Sequence, residues 1–600
     1  MSYRESATHP GSRWAGVGLV ALLAADVAIL ARAWWMSARG LDLTDEGMYL
    51  TWMTSPWDWP WASTQFAFFF HPLWELLGQD LVLTRRITVA LLLLAGAGFF
   101  AAVLRRAFGL GRARSLLTGA LLAPSVLLAV GSQSVFFTPS YNMLGMFGLL
   151  AAGAALAGML LPGPRDAGRH QLRHWPWVLL GLGGVLCFAS RPTAGALLLV
   201  IVILALLVAG TWFWKGIGIA AGTAVAAFLA MALAIDGNPV TFVERVLEGL
   251  HLYSLQTQRS ALDALVNTFT YDLNWQQADI VWGAGLAVLL AAAVLLRRAG
   301  RLAPAALVAV CVAAAGAAVW AGVAGATPLT GRVGRSATVA FFLWAGVTVA
   351  SLVAARGMGR RAVAAVGALW LLPFAYAFAT HYSTVALAGS AAFCWLASSL
   401  VGVGAVAKGE RSLPAVGAVW LLATVLCLNA AAGAAPRQEP LGAQDVPYPL
   451  AGRGDVLLSA DMARYLDSVA ASMADAGFRP GMPVLDLTGE SPGLVYHLQA
   501  RATADSWVIG RYPGSRDRLA RELALHTPCE RTGESWLLVS PDGARAIDPE
   551  VLGDLGIAFP TDYGLVATEA APKRSGAFTL EVWAPREPAD LVAGCLSARR

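Results

Sequence analysis

Residues 14–35 read WAGVGLVALLAADVAILARAWW, an apolar run closed by paired tryptophans. Wound as a helix rising about 1.5 Å per residue, such a run covers roughly 33 Å, the thickness of a bilayer's hydrocarbon core. No small-residue cleavage site follows it, so it is expected to remain as a membrane anchor and not to leave as a signal peptide. Runs of the same character recur near 86–104, 115–131, 142–161, 175–189, 193–210, 216–235, 279–296, 303–325, 337–355, 362–380, 383–404 and 413–434, making about thirteen expected spans. Composition points the same way. Of the 600 residues 57% are hydrophobic and 14% charged, with mean hydropathy +0.60, where soluble domains run near a quarter charged. The 22 Trp and 23 Phe suit a protein with two membrane–water interfaces to anchor.

Lys and Arg collect in cytoplasmic loops and so orient the chain. With residues 1–13 as a cytoplasmic tail, every second loop is basic: Arg105, Arg106, Arg112 and Arg114, then Arg165, Arg169 and Arg173, then Lys215. Arg297, Arg298 and Arg301, then Arg356, Arg360 and Arg361, then Lys408 and Arg411 continue the alternation. The net charge of +5 is therefore topological, and no nucleic-acid footprint is implied. An odd number of spans over 14–435 puts 436–600 outside a plasma membrane that the chain crosses many times. Six cysteines are too few for a disulfide framework. Cys187, Cys311, Cys394 and Cys427 lie in apolar runs as packing thiols, whereas Cys529 and Cys595 are the only pair in the polar C-terminal part and are expected to bond in an oxidising compartment.

Three outer segments are large. Residues 36–85 begin acidic and turn aromatic, with Phe66, Phe69, Phe70, Leu73, Trp74 and Leu77 at the spacing of a helix lying in the interface plane. In 236–278, Phe242, Val246, Leu247 and Leu250 are expected to share one helical face. After a Pro-rich 436–449 linker, the tail alternates candidate strands (482–487, 535–540, 562–568, 578–583) with candidate helices (461–475, 491–500, 514–526). It reads as a compact α/β or α+β domain. The expected fold is thus a polytopic α-helical membrane protein carrying a C-terminal α/β outer domain.

The strongest chemical signal is Leu43-Thr44-Asp45-Glu46-Gly47-Met48-Tyr49, just past the outer end of the first span. Two adjacent carboxylates there can supply a general base for an acceptor hydroxyl, hold a cation, or simply start a solvated loop or helix. Trp52, Trp57, Trp59 and Trp61 crowd around Asp58. Arg85 and Arg86 stand at the outer entry to span two, against the positive-inside trend, and either snorkel to headgroups or bind a phosphate. Asp26 sits near mid-span, where an ionisable group is a functional candidate or a neutral side chain bonded to a neighbouring helix.

This layout resembles the GT-C glycosyltransferases, the superfamily of protein O-mannosyltransferases and of the aminoarabinose transferases of lipid A. The resemblance rests on the span number, the first outer loop opening with Asp-Glu at 45–46 and closing with Arg at 85–86, its horizontal helices, and the outer domain. It implies that Asp45 serves as base or acceptor-orienting group with Glu46 as companion, and that Arg85 or Arg86 helps hold a lipid phosphate.

Other outer-side polar residues fit a phosphate-and-sugar cavity. Arg191 lies in Ser190-Arg191-Pro192-Thr193, and Arg332 and Arg335 lie in a short Gly-rich loop whose backbone N–H groups can cradle a phosphate. Gln133, Tyr141, Asn142, His381 and Tyr382 are wall candidates, each also explained as a helix-end hydrogen-bonder. Val484 to Gly493 lacks the tight spacing of a nucleotide fingerprint and reads as a strand-to-helix turn. The expected activity is sugar transfer from a polyprenyl-phosphate carrier to an unidentified acceptor hydroxyl on the outer face. A carboxylate and an arginine suffice for it, so no cofactor is obligatory and a divalent metal is allowed but not required. The alternatives are a lipid or solute transporter, against which no second half mirrors the first, and a non-catalytic glycan-binding scaffold.

Overall fold

A computed structural model of the chain describes residues 10–128, 137–161, 174–258, 358–380, 387–407, 413–433, 435, 437–572 and 578–600. The expected spans near 279–296, 303–325 and 337–355 lie outside them. Among the described residues six helical stretches are long and apolar enough to cross a membrane: Leu19–Ser37, Leu81–Ala107, Tyr141–Leu160, Pro192–Ala209, Trp214–Asp236 and Val416–Gly433.

In chain order the membrane part comprises α1 (Pro10–Ser37), α2 (Asp45–Thr54), α3 (Phe66–Leu76), α4 (Leu81–Ala107), α5 (Arg112–Leu122), α6 (Tyr141–Leu160), α7 (Trp175–Ser190), α8 (Pro192–Ala209), α9 (Trp214–Asp236), α10 (Pro239–Thr257), α11 (Arg360–Ala377), α12 (Ala392–Ala407) and α13 (Leu413–Gly433). Local chemistry sets their ends. Asp80 accepts the Leu83 N–H at 2.9 Å to cap α4, whose last turn carries Arg105 and Arg106 against the carbonyl end of the helix dipole. Ser140 accepts the Met143 N–H to start α6. Small residues let backbones meet where no water drives association: a Cβ on Gly148 of α6 would stand 2.8 Å from the Cys187 nitrogen of α7.

Two sequence expectations are corrected here. The 115–131 run is not one helix, because α5 stops at Leu122 and a 3₁₀ turn over Ala123–Leu127 takes in Pro124, which has no N–H to continue the ladder. On α10, Phe242 and Val246 are buried but Leu247 is 58% exposed, and the inward face runs instead through Arg245 and Gly249. Gly249 is needed there, since a Cβ would meet the Trp61 carbonyl oxygen at 2.2 Å.

The C-terminal part holds a two-stranded antiparallel ribbon, β1 (Val446–Pro449) with β2 (Asp455–Leu458), and a five-stranded mixed sheet. The sheet is built from β3 (Pro483–Asp486), β4 (Arg501–Ala502), β5 (Trp536–Val539), β6 (Tyr563–Ala570) and β7 (Thr579–Pro585), in the order β4-β3-β5-β7-β6. The β4, β3 and β5 strands are parallel, and β7 and β6 antiparallel. Helices α14 (Ala460–Asp475), α15 (Pro492–His497), α16 (Ser515–Leu525), α17 (Cys529–Gly533) and α18 (Pro588–Ala598) accompany it. Cys529 and Cys595 join α17 to α18 as a disulfide, Cα atoms 5.6 Å apart.

One hydrophobic core runs through the loop between α1 and α4, the α9–α10 corner and this domain. It includes Tyr49, Trp52, Phe66 and Trp74 together with Phe242, Val456, Leu466, Val495 and Trp536. Residues 38–40 even add to the ribbon, Leu457 exchanging hydrogen bonds of 2.8 and 2.9 Å with Ala38 and Gly40. The C-terminal domain is therefore packed into the first loop and is not a bead on a tether.

Candidate functional site

The site begins where the chain leaves α1. The Asp42 carboxylate accepts the Thr44 N–H (3.2 Å), the Thr44 hydroxyl (2.8 Å) and the Asp45 N–H (3.1 Å), an Asx turn that launches α2. Glu46 then points into the protein. Its Oε1 accepts from Arg85 Nη2 at 2.5 Å, Arg85 Nε at 3.1 Å and the Thr138 hydroxyl, and its Oε2 takes the Asp42 N–H at 3.1 Å. Arg85 also donates to the carbonyls of Ser37 (3.0 Å), Arg39 (3.3 Å) and Gly40 (2.9 Å).

This pair corrects the expected phosphate role of Arg85. Its side chain is only 1% exposed and all three guanidinium nitrogens serve the protein, so Glu46 and Arg85 together fasten α2 and the end of α1 to α4. Arg86, one residue on, is only part-buried. Its guanidinium lies 3.7 Å over the Trp34 ring, and its Nε donates to the Ser37 hydroxyl at 3.2 Å.

Adjacent helical residues point about 100° apart, so Asp45 is aimed away from that fastening and is part-exposed. Burial pushes its carboxyl up to about 7, the Asp42 carboxylate adds to the rise, and Arg437 and Arg545 oppose it. One turn further, the Tyr49 hydroxyl lies 3.5 Å from Asp45 Oδ1. The Tyr49 ring meets Tyr141 edge-on at 5.6 Å, and the Arg191 guanidinium stands 4.7 Å from the Tyr141 ring and 5.3 Å from that of Tyr376. Arg191 donates to Asn142 Oδ1 (2.5 Å) and to the Tyr376 carbonyl (2.8 Å). A continuous line thus runs from a carboxylate, through two phenols, to a guanidinium. Pro192 breaks the chain between α7 and α8 and leaves Arg191 extended across the gap.

The C-terminal domain closes the other side of Asp45. Arg437 Nη1 donates to the Thr44 hydroxyl at 2.5 Å and lies 3.7 Å from Glu490 Oε2, while Arg545 Nε lies 3.2 Å from Glu490 Oε1. Glu490 stands on the turn from β3 to α15. There Asp486 accepts the N–H groups of Thr488 (2.9 Å) and Ser491 (3.0 Å), so 484–493 is a strand-to-helix turn.

The remaining candidates divide clearly. Asp58 forms ion pairs with Arg501 (2.6 Å) and Arg531 (3.7 Å), tying the first loop to the C-terminal domain. Asp26 is buried on α1, its Oδ1 without a hydrogen-bond partner among the described residues. Gln133, Arg332, Arg335, His381 and Tyr382 lie outside the described residues. Among those described, no group of three His, Cys, Asp or Glu side chains is placed to hold a metal ion.

Sequence reasoning missed Asp42, Tyr49, Tyr376, Arg437, Glu490 and Arg545. Tyr49 was findable, being four residues from Asp45 on one helical face. Asp42 carries the signature of a turn-forming residue before a helix. The other four come from distant segments and have no local signal.

No protein-family model matches the sequence, and a search of curated proteins gives no match. Two solved structures are similar to it, both of ArnT, an aminoarabinose transferase, from Cupriavidus metallidurans. The form bound to undecaprenyl phosphate aligns with TM-score 0.39 and 14% identity, and the apo form with 0.40 and 16%. Each alignment covers 94% of this chain and 98% of the other. A likeness of that strength leaves the activity to be read from the site.

Proposed function

We propose that the chain is a membrane glycosyltransferase that moves a sugar from a polyprenyl-phosphate carrier to an acceptor hydroxyl on the outer face of the membrane. The observation that carries this reading is the line Asp45–Tyr49–Tyr141–Arg191, which sets a part-exposed carboxylate and a part-exposed guanidinium at opposite ends of one aromatic wall. The reaction needs both ends. The acceptor oxygen gains nucleophilicity as its proton is taken or oriented by Asp45, whose raised carboxyl value suits a base working near neutrality. Negative charge builds on the departing lipid phosphate, and Arg191, held rigid by Asn142 and the Tyr376 carbonyl, is positioned to receive it. Arg86, stacked on the exposed Trp34, is the second cation we assign to the phosphate, at the level where a lipid headgroup enters. Attack opposite a phosphate leaving group in one displacement inverts the sugar carbon.

The test is transfer from a radiolabelled polyprenyl-phosphate sugar in membranes containing the wild type, Asp45→Asn or Arg191→Gln. Loss of transfer in both variants, with folded protein retained, supports the reading. Wild-type transfer by Asp45→Asn would remove it.

A further inference from the structure

We propose that the C-terminal domain sets the charge of the loop-one carboxylate: Arg437 and Arg545, coupled through Glu490, are positioning residues that keep Asp45 ionised for the acceptor. The inference rests on the reading of Asp45 given above and adds a role for the outer domain. Three independent pieces of geometry support it. Arg437 holds its backbone at φ +53°, in the left-handed region, while its side chain reaches Thr44, the residue before Asp45. For a non-glycine residue such a conformation costs on the order of 1 kcal/mol or more and persists where the surroundings over-determine it. Glu490 is 9% exposed and bridges both guanidiniums, so the two cations are fixed relative to each other. Gly489 packs its α-carbon so tightly on the Arg545 carbonyl that a Cβ would stand 2.3 Å from that oxygen, and its φ of +65° favours glycine as well. The turn bearing Glu490 and the segment bearing Arg545 are thereby locked together.

The groups acting on Asp45 have opposed signs. Burial and Asp42, on its own segment, disfavour its charged form, while Arg437, Arg545 and the Tyr49 hydroxyl favour it. Glu490 lies against both cations and offsets part of their charge, and Glu46 is paired with Arg85. Removing a cation must therefore raise the pH at which Asp45 ionises, and neutralising Glu490 must lower it.

The experiment uses the full chain in lipid nanodiscs. The protonated carboxyl stretch of Asp45, identified in infrared difference spectra as the band lost in Asp45→Asn, is followed against pH. Arg437→Gln should move its midpoint up by about one pH unit, a tenfold loss of ionised Asp45 at a given acid pH. Arg437→Lys should restore most of the shift, and Glu490→Gln should move the midpoint down. Equal midpoints in wild type, Arg437→Gln and Glu490→Gln would overturn the proposal. Should Arg437→Gln fail to fold, the near-isosteric Glu490→Gln still decides, since an unmoved or raised midpoint overturns it. Transfer assays on the same variants separate the two readings. An acid limb that moves with the band supports both, whereas a band that moves in a protein transferring no lipid-linked sugar supports the charge-setting role and removes the glycosyltransferase.

Discussion

Asp45 and Glu46 are neighbours with opposite fates, and the difference is which way each faces. Asp45 is the base in the proposed reaction, so Asp45→Asn should cut transfer by about a hundredfold or more while leaving folded yield intact. Because its carboxyl lies near 7, the ionised fraction falls as pH drops below that value. Initial rates should therefore decline about tenfold per pH unit on the acid side and level off above it. A flat profile between pH 5 and about 8 would place the base elsewhere. Glu46 and Arg85 should behave oppositely. Either alone, truncated, strands a buried charge and should cost about 3–5 kcal/mol of stability, read as lost folded protein and not as a raised KM. Replacing both, as Glu46→Leu with Arg85→Met, should recover only part of that loss: no charge is stranded, but the Ser37, Arg39 and Gly40 carbonyls and the Asp42 N–H lose their partners. The sequence marked both acidic residues and both arginines, but the division of labour between them was invisible to it. Burial and partner count decide the roles, and these depend on segments 40 to 90 residues away.

At the scale of elements, the join between α2 and α15 controls the site. A Cβ on Gly47 would lie 2.1 Å from the Gly493 nitrogen and 2.4 Å from its Cα, backbone atoms that cannot turn aside. The Gly493 N–H also donates to the Leu43 carbonyl at 2.7 Å, next to the turn that starts α2. Gly47→Ala should therefore separate α2 from the C-terminal domain. A lower melting temperature and faster proteolytic release of the C-terminal fragment would report it, with transfer reduced in the molecules that remain folded. Most elements were legible beforehand: 482–487 became β3, 535–540 became β5, and 461–475 became α14. Alternating apolar residues and a 3.6-residue period are written into a local window. What the window cannot hold is pairing. The addition of residues 38–40 to β2 joins segments more than 400 residues apart, and nothing in either stretch announces the other.

For the whole molecule, the alternation of basic loops makes a definite statement about sidedness. Ala113 is exposed in the first turn of α5 between Arg112 and Arg114, at a basic end expected inside, whereas Leu565 is 51% exposed on the C-terminal domain, expected outside. In intact cells a cysteine at Leu565 should react with an impermeant thiol reagent, and one at Ala113 should react only after lysis. Labelling in the reverse order would invert the topology and put the Asp45 site on the cytoplasmic side.

The core shared by the first loop and the C-terminal domain carries a consequence for how the protein is made. Trp52, Phe66 and Trp74 leave the ribosome about 370 residues or more before the C-terminal segments that complete their core, a gap of roughly 20 s to more than a minute at the usual pace of synthesis. During that interval the aromatic face of the early loop is uncovered, and aromatic side chains in that state favour a lipid interface. The final packing of that face must then wait until the last segment has been made. Any product that stops short of the C-terminal domain therefore keeps this aromatic face uncovered.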